Sequence, residues 1–128
     1  MPNLTQAAWF HVNAHMLNRL ISFIFCLMTF TAFAQSPPVA RVSALADGKL
    51  LLNGSLADLP VIEAEFQRIK KSQGAIWYYR ENPQAEPPPQ AMAVIKLVIQ
   101  YGLPVSMSSK SDFSDYIDGN GRSLPRKP

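Results

Sequence analysis

The chain has 128 residues and a formal net charge of +3, and its single cysteine and both histidines precede Gln35. Residues 35–128 therefore offer no His/Cys zinc site and no nucleophile activated by histidine, and no cofactor is expected. They carry 11 Lys and Arg against 9 Asp and Glu, with no basic cluster among aromatic residues. This balance argues against nucleic acid as a partner.

The first third of the chain has the pattern of an export signal. Residues 20–34 are an uncharged apolar run behind Arg19, and the run closes on Ala32-Phe33-Ala34, a small-x-small sequence of the type that signal peptidase cleaves. The run is shorter than the roughly 18 residues of a membrane span. We therefore predict a signal peptide over residues 1–34, with Met16 as an alternative start, and a periplasmic or secreted protein beginning near Gln35. An uncleaved leader would instead anchor the chain in the inner membrane.

The next segment predicts a hairpin. Residues 35–38 are interpreted as a linker, and residues 39–46 and 49–52 as two strands with partial alternation of apolar and polar positions. Asp47-Gly48 between them predicts a two-residue type I′ turn, because glycine adopts positive φ without a steric penalty. Asn53-Gly54 predicts a second turn.

Two helices are predicted from periodicity and end signals. The first starts at Asp58, which can cap it, and ends at Gly74. Its apolar residues recur three and four apart and form one stripe: Leu59, Ile62, Phe66 and Ile69. The second covers residues 90–101 and is apolar nearly all round, which is typical of a helix that is buried or meets a partner.

The remaining segments complete the predicted fold. Residues 75–79 are aromatic and rich in β-formers, and residues 103–107 give a last strand. Residues 112–128 are interpreted as an acidic and aromatic tail that becomes disordered from Arg122. The order β-β-α-β-α-β predicts an α+β two-layer sandwich over residues 39–111, with both helices on one face of a small mixed sheet.

This order, with Ala46-Asp47-Gly48-Lys49-Leu50-Leu51-Leu52-Asn53-Gly54 at its start, resembles the periplasmic domain of the ExbD/TolR family of biopolymer transport proteins. In that family a hairpin of the form D-G-x-apolar-x-apolar-N-G precedes the first helix. A strand, an apolar second helix and a Gly-led final strand follow. The resemblance covers about residues 39–108.

The resemblance implies a role in the bacterial envelope. Members of the family are single-span inner-membrane proteins that work with a proton-driven motor, and their periplasmic domains pair and contact the cell wall or partner proteins. The motor uses an aspartate in the span, whereas this chain has no carboxylate between Met1 and Gln35. We therefore expect an exported, non-catalytic binding or assembly module. The alternative is a membrane-tethered accessory of such a motor.

Two places are candidate contact sites. Trp77 and Tyr79 share one face of their predicted strand, and if exposed beside Arg80 they would form a platform for a sugar ring or a peptide. If helices cover one face and the tail covers the other, no such platform exists. Val98 lies in the apolar second helix, and self-association is expected through this helix or through an edge strand.

The acidic tail carries a second alternative function. Asp112, Asp115 and Asp118 are three apart, and on a helical turn they would share a face and could hold a hard cation through oxygen ligands. That arrangement would make the chain a small periplasmic cation-dependent protein or enzyme. The other interpretation is a solvated turn whose apolar residues fix the tail to the domain: Phe113, Tyr116 and Ile117.

Overall fold

The computed structural model describes residues 35–128, so the predicted signal peptide and the alternative start at Met16 lie outside the described residues. Along this part of the chain the elements are β1 (Val39–Ala44), β2 (Leu50–Leu52), β3 (Ser55–Leu56), α1 (Leu59–Lys71), β4 (Ala75–Arg80), α2 (Pro89–Tyr101), β5 (Val105–Ser108), β6 (Asp115–Ile117) and β7 (Ser123–Pro125). Within residues 35–128 no helix has the length and apolarity needed to cross a membrane.

The strands form one mixed sheet and a small second sheet. The five-stranded sheet has the order β3-β2-β1-β4-β5, and β6 pairs with β7 in the other. β1 is antiparallel to β2 and parallel to β4, and β5 is parallel to β4. The α+β class and the predicted order of strands and helices are thereby confirmed, with β3, β6 and β7 as additions.

Both helices cover one side of the large sheet, here called the helix face. The register places Ala40 beside Ile76 and Val42 beside Tyr78, so these four side chains point to the same side. They join a single buried core with residues from one stripe of each helix. The helix residues in that core are Ile62, Phe66 and Ile69 of α1 and Ala91, Val94 and Val98 of α2.

The β6–β7 hairpin covers the opposite side, here called the hairpin face. Alternation places Trp77 and Tyr79 of β4 on this side. The Phe113 ring packs edge-on against Tyr79 with 6.4 Å between centroids, and the Arg126 guanidinium lies over Trp77. The expected disorder from Arg122 onward is therefore wrong, because β7 pairs with β6. Ser36–Pro128 form one compact unit that includes this hairpin.

The two predicted turns differ in detail. Only Gly48 has positive φ in the first turn, and Leu45 accepts a hydrogen bond from the Gly48 amide and donates one to Lys49. The type I′ expectation at Asp47-Gly48 is therefore wrong, because the loop has three residues with glycine last. At Asn53-Gly54 both residues have positive φ, +50° and +88°, as a type I′ turn requires.

The predicted linker belongs partly to the domain. The Pro38 carbonyl accepts a hydrogen bond from the Ala75 amide at 3.0 Å, which extends the pairing of β1 with β4 by one residue. A Cβ atom on Gly74 would lie 2.3 Å from that carbonyl oxygen. Glycine at position 74 therefore permits the close approach of the two segments.

Candidate functional site

Trp77 lies in a row of side chains that crosses three strands on the hairpin face. The register aligns Arg41 of β1, Trp77 of β4 and Ser106 of β5. The Arg126 guanidinium carbon lies 3.9 Å from the centroid of the Trp77 ring, and that of Arg41 lies 5.1 Å away. Two cations therefore lie within cation–π distance of one indole ring, and the negative potential of the ring face attracts both guanidinium groups.

Arg126 is fixed by neutral partners. Its Nε donates to the Phe113 carbonyl at 3.1 Å, and one Nη donates to the Ser106 hydroxyl at 2.9 Å. The Tyr116 ring lies 5.8 Å from the guanidinium carbon on another side. Arg126 thus ties the end of the β6–β7 hairpin to the row that contains Trp77.

Asp115, the first residue of β6, lies on the hairpin face beside Ser108 and is 1% exposed. Its carboxylate accepts hydrogen bonds from the hydroxyls of Ser108, Ser109 and Ser123. The amides of Ser109 and Lys110 donate to it at 3.2 Å. Because these residues lie on β5, β7 and the turn after β5, one carboxylate joins three segments of the chain.

The hydrogen bonds determine the protonation state of Asp115. Burial by itself would raise the pKa of this carboxyl. The hydrogen bonds from Ser108, Ser109 and Ser123 outweigh burial and hold its pKa far below the ordinary value of 3.8. Asp115 is therefore a structural anion that fastens the β6–β7 hairpin to the sheet.

The three carboxylates of the proposed cation site are not brought together. Asp112 accepts a hydrogen bond from the Ser114 amide, and Asp118 accepts from the Asn120 and Arg122 amides and pairs with the Arg122 guanidinium at 3.0 Å. No group of three His, Cys, Asp or Glu side chains suited to a metal exists between residues 35 and 128. The alternative of a cation site is contradicted because it needed a helical turn, whereas Asp115 begins a strand.

Arg80 does not stand beside Trp77 and Tyr79. Alternation places it with Tyr78, at the helix face, where one Nη donates to the Ala85 carbonyl and the buried Nε has no hydrogen-bond partner within residues 35–128. Tyr79 is half-buried against Phe113. The platform of Trp77, Tyr79 and Arg80 is therefore a wrong prediction, and Arg126 is the cation that stacks on Trp77.

Val98 is a core residue, with 5% of its surface exposed. It faces the sheet with Val94, so it offers no surface to a partner, and its assignment as a contact residue is wrong. The exposed apolar residues of α2 are Met92 and Ile99, seven apart on the outer side of the helix.

The edge strand β5 exposes apolar side chains. It is the last strand of the sheet, and Val105 and Met107 point to the helix face with 43% and 39% of their surfaces exposed. The strand contains two serines besides these residues and has no charged residue and no proline. An apolar, uncharged edge is a surface on which another strand can pair.

No protein-family model and no curated protein matches this chain. The residues that sequence reasoning missed are Arg41 and Arg126, together with the serines around Asp115. Alternation along β4 separates Arg80 from Trp77, and this signal was present in the sequence. Nothing in the local sequence indicates that Arg126 reaches Trp77, because that contact depends on the path of the β6–β7 hairpin.

Proposed function

We propose that this chain is an exported, non-catalytic binding or assembly module of the bacterial envelope, similar to the periplasmic domain of ExbD/TolR proteins, and that it self-associates through β5. The observation that carries the proposal is the outer edge of β5, which pairs with no other strand within residues 35–128. Natural edge strands usually carry lysine or proline or are covered by another segment, whereas Val105–Ser108 contain neither lysine nor proline.

The hydrogen-bond pattern leaves the outer edge of β5 free to pair. The Pro104 carbonyl accepts from the Ile76 amide, so in this parallel ladder the alternate residues Ser106 and Ser108 continue the bonding to β4. The backbone groups of Val105 and Met107 then point outward. These two residues also carry the exposed apolar side chains.

A second copy of the chain fits this edge. Two β5 strands paired antiparallel about a two-fold axis would form outward hydrogen bonds with each other and would place the apolar side chains of both strands on one side. Since β5 has no charged residue, self-pairing brings no like charges from the strand together. The main buried carboxylate, Asp115, has a structural role, which is consistent with assembly rather than catalysis.

Met107→Lys tests the assembly. We expect the wild-type chain to sediment as a dimer at micromolar concentration and the Met107→Lys variant to sediment as a monomer with an unchanged circular dichroism spectrum. A lysine at this edge adds a charge that must be desolvated on pairing. Leu56→Lys is the matched control, because Leu56 is 69% exposed on β3, at the other edge of the sheet. A monomeric wild type, or a dimeric Met107→Lys variant, contradicts assembly through β5.

Export is tested separately by the intact mass of the native protein in periplasmic and membrane fractions. A periplasmic species that begins at Gln35 is the expected result, since the leader ends on a cleavage sequence. A membrane-bound species that retains residues 20–34 would contradict cleavage and would favour the membrane-tethered accessory.

A further inference from the structure

We propose that Arg41 and Arg126, the two guanidinium groups around the Trp77 ring, form a binding site for a carboxylate side chain of an acidic peptide. The site lies on the hairpin face, whereas β5 would pair through its outer edge. The inference goes beyond the proposed self-association and does not require it.

Within residues 35–128, neither guanidinium group forms an ion pair with an acidic side chain. The ion pairs formed within residues 35–128 are Asp47–Lys49, Glu65–Arg68 and Asp118–Arg122. Neither Arg41 nor Arg126 belongs to one, although both approach the same indole. Two like charges held close together repel each other, and a bound anion would relieve that repulsion.

Both guanidinium groups have unused hydrogen-bonding capacity. A guanidinium has five N–H donors, and Arg126 uses its Nε and one Nη on neutral acceptors. The Arg41 guanidinium makes no hydrogen bond to the part of the chain that the structure describes, and the residue is exposed. Free N–H groups on guanidiniums match the two oxygens of a carboxylate in geometry as well as charge.

The acidic side chain whose charge acts on Arg126 is already engaged by other donors. Asp115 attracts Arg126 electrostatically, but its carboxylate oxygens accept hydrogen bonds from three serine hydroxyls and two amides. It is held in that position and does not pair with either guanidinium. Burial lowers the pKa of Arg126, the charge of Asp115 raises it, and the charge of Arg41 lowers it, so the two guanidinium groups lie close enough to repel each other.

The arrangement around Trp77 also indicates the class of ligand. The site is preorganised, because the Phe113 carbonyl, Ser106 and the Trp77 ring all hold Arg126. Its guanidinium lies 3.9 Å from the centroid of the indole and covers that aromatic surface. A sugar ring would need a free aromatic plane, whereas a peptide carboxylate needs N–H donors and positive charge. The geometry therefore favours an acidic peptide over an acidic sugar.

The experiment is an NMR titration of the full chain with acetylated, amidated tetraglutamate. The readouts are the Trp77 indole N–H signal, assigned with a Trp77→Phe variant, and the Nε–H signals of Arg41 and Arg126. We expect saturable shifts that weaken at high salt and a dissociation constant about tenfold higher in Arg41→Gln. Arg41 is the better variant because Arg126 also anchors the hairpin.

Arg122→Gln is the control for charge, since it removes an equal charge from the β6–β7 hairpin but from a guanidinium that already pairs with Asp118. It should leave the dissociation constant unchanged. Any of three results would overturn the site. These are shifts with tetraglutamine equal to those with tetraglutamate, an affinity of Arg41→Gln for tetraglutamate equal to that of the wild type, or no shift with tetraglutamate. Tighter binding of an oligoglucuronate would overturn the peptide assignment. Repeating the titration on Met107→Lys separates the two proposals, because this site is expected to bind in a monomer as well.

Discussion

At the scale of single residues, Asp115 shows how a buried charge is stabilised without an ion pair. Removing a carboxylate from water carries a large desolvation cost. Here three hydroxyls and two backbone amides replace the lost water. Hydrogen bonds to an ionised acceptor are roughly twice as strong as neutral ones, and five donors around one carboxylate make the anion the preferred form.

Asp115→Asn should lower the free energy of unfolding at pH 7 by about 2 kcal/mol, because an amide offers one oxygen where the carboxylate offers two. The folded-state pKa of Asp115 lies below its unfolded value, so its contribution is complete above about pH 4 and is lost as the pH falls from there towards the folded pKa. The difference in the free energy of unfolding between the wild type and Asp115→Asn should therefore become smaller as the pH falls from about 5 to about 2. Urea denaturation at a series of pH values measures both effects.

Asp112→Asn is the control for that series. Asp112 is an exposed carboxylate in the turn before β6, and it accepts from the Ser114 amide. Its substitution should leave the free energy of unfolding nearly unchanged. A variant Asp115→Asn as stable as wild type at pH 7, or with the same deficit at pH 2 and pH 7, would show that the buried charge does not fasten the hairpin.

At the scale of elements, helix ends illustrate what local sequence can and cannot predict. The start of α1 follows the prediction, since the Asp58 carboxylate accepts from the Val61 amide. Its end does not, because Gln73 takes the left-handed conformation with φ +53° while the Gly74 amide bonds to the Ile69 carbonyl. Gly74 is needed for its contact with Pro38, which is distant in sequence and leaves no local signal.

The candidate sites also combine features that local sequence predicts with features that it does not predict. Periodicity correctly places the core stripe of α1, and alternation correctly puts Trp77 and Tyr79 on one face. The environment of Trp77 depends on the register between β1 and β4 and on the position of Arg126. Both are set by tertiary packing, which a period of two or 3.6 residues does not encode. Val98 shows another limit of local sequence. An apolar helix predicts that its side chains are buried, but it does not predict whether the core of the domain or a partner buries them.

At the scale of the whole molecule, the large sheet is covered on both sides. The helices bury the side chains of Ile76 and Tyr78, and the β6–β7 hairpin packs over Trp77 and Tyr79. The segment expected to be a tail is thus part of the folded unit. It attaches through the ring of Phe113 and through two polar side chains, Asp115 and Arg126, whereas the helices attach through an apolar core.

The ionisable side chains of residues 35–128 predict that stability hardly changes with pH near neutrality. Residues 35–128 contain no histidine, so none of their side chains has an ordinary pKa between about 5 and 8. Burial raises the pKa of Tyr78 above its ordinary value of 10.0. The stability that Tyr78 contributes is therefore complete below about pH 10 and is lost as the pH rises from there towards the folded pKa.

We therefore expect a thermal midpoint that is constant from about pH 5 to pH 9, falls below about pH 4 as Asp115 is protonated on unfolding, and falls above about pH 10 as Tyr78 ionises on unfolding. Differential scanning calorimetry of the chain that starts at Gln35 measures the profile. Tyr78→Phe should reduce the alkaline fall, because it removes the titrating group and keeps the ring, whereas Tyr79→Phe is the neighbouring control. A midpoint that changes steeply between pH 5 and pH 9 would contradict the charge distribution described for this fold.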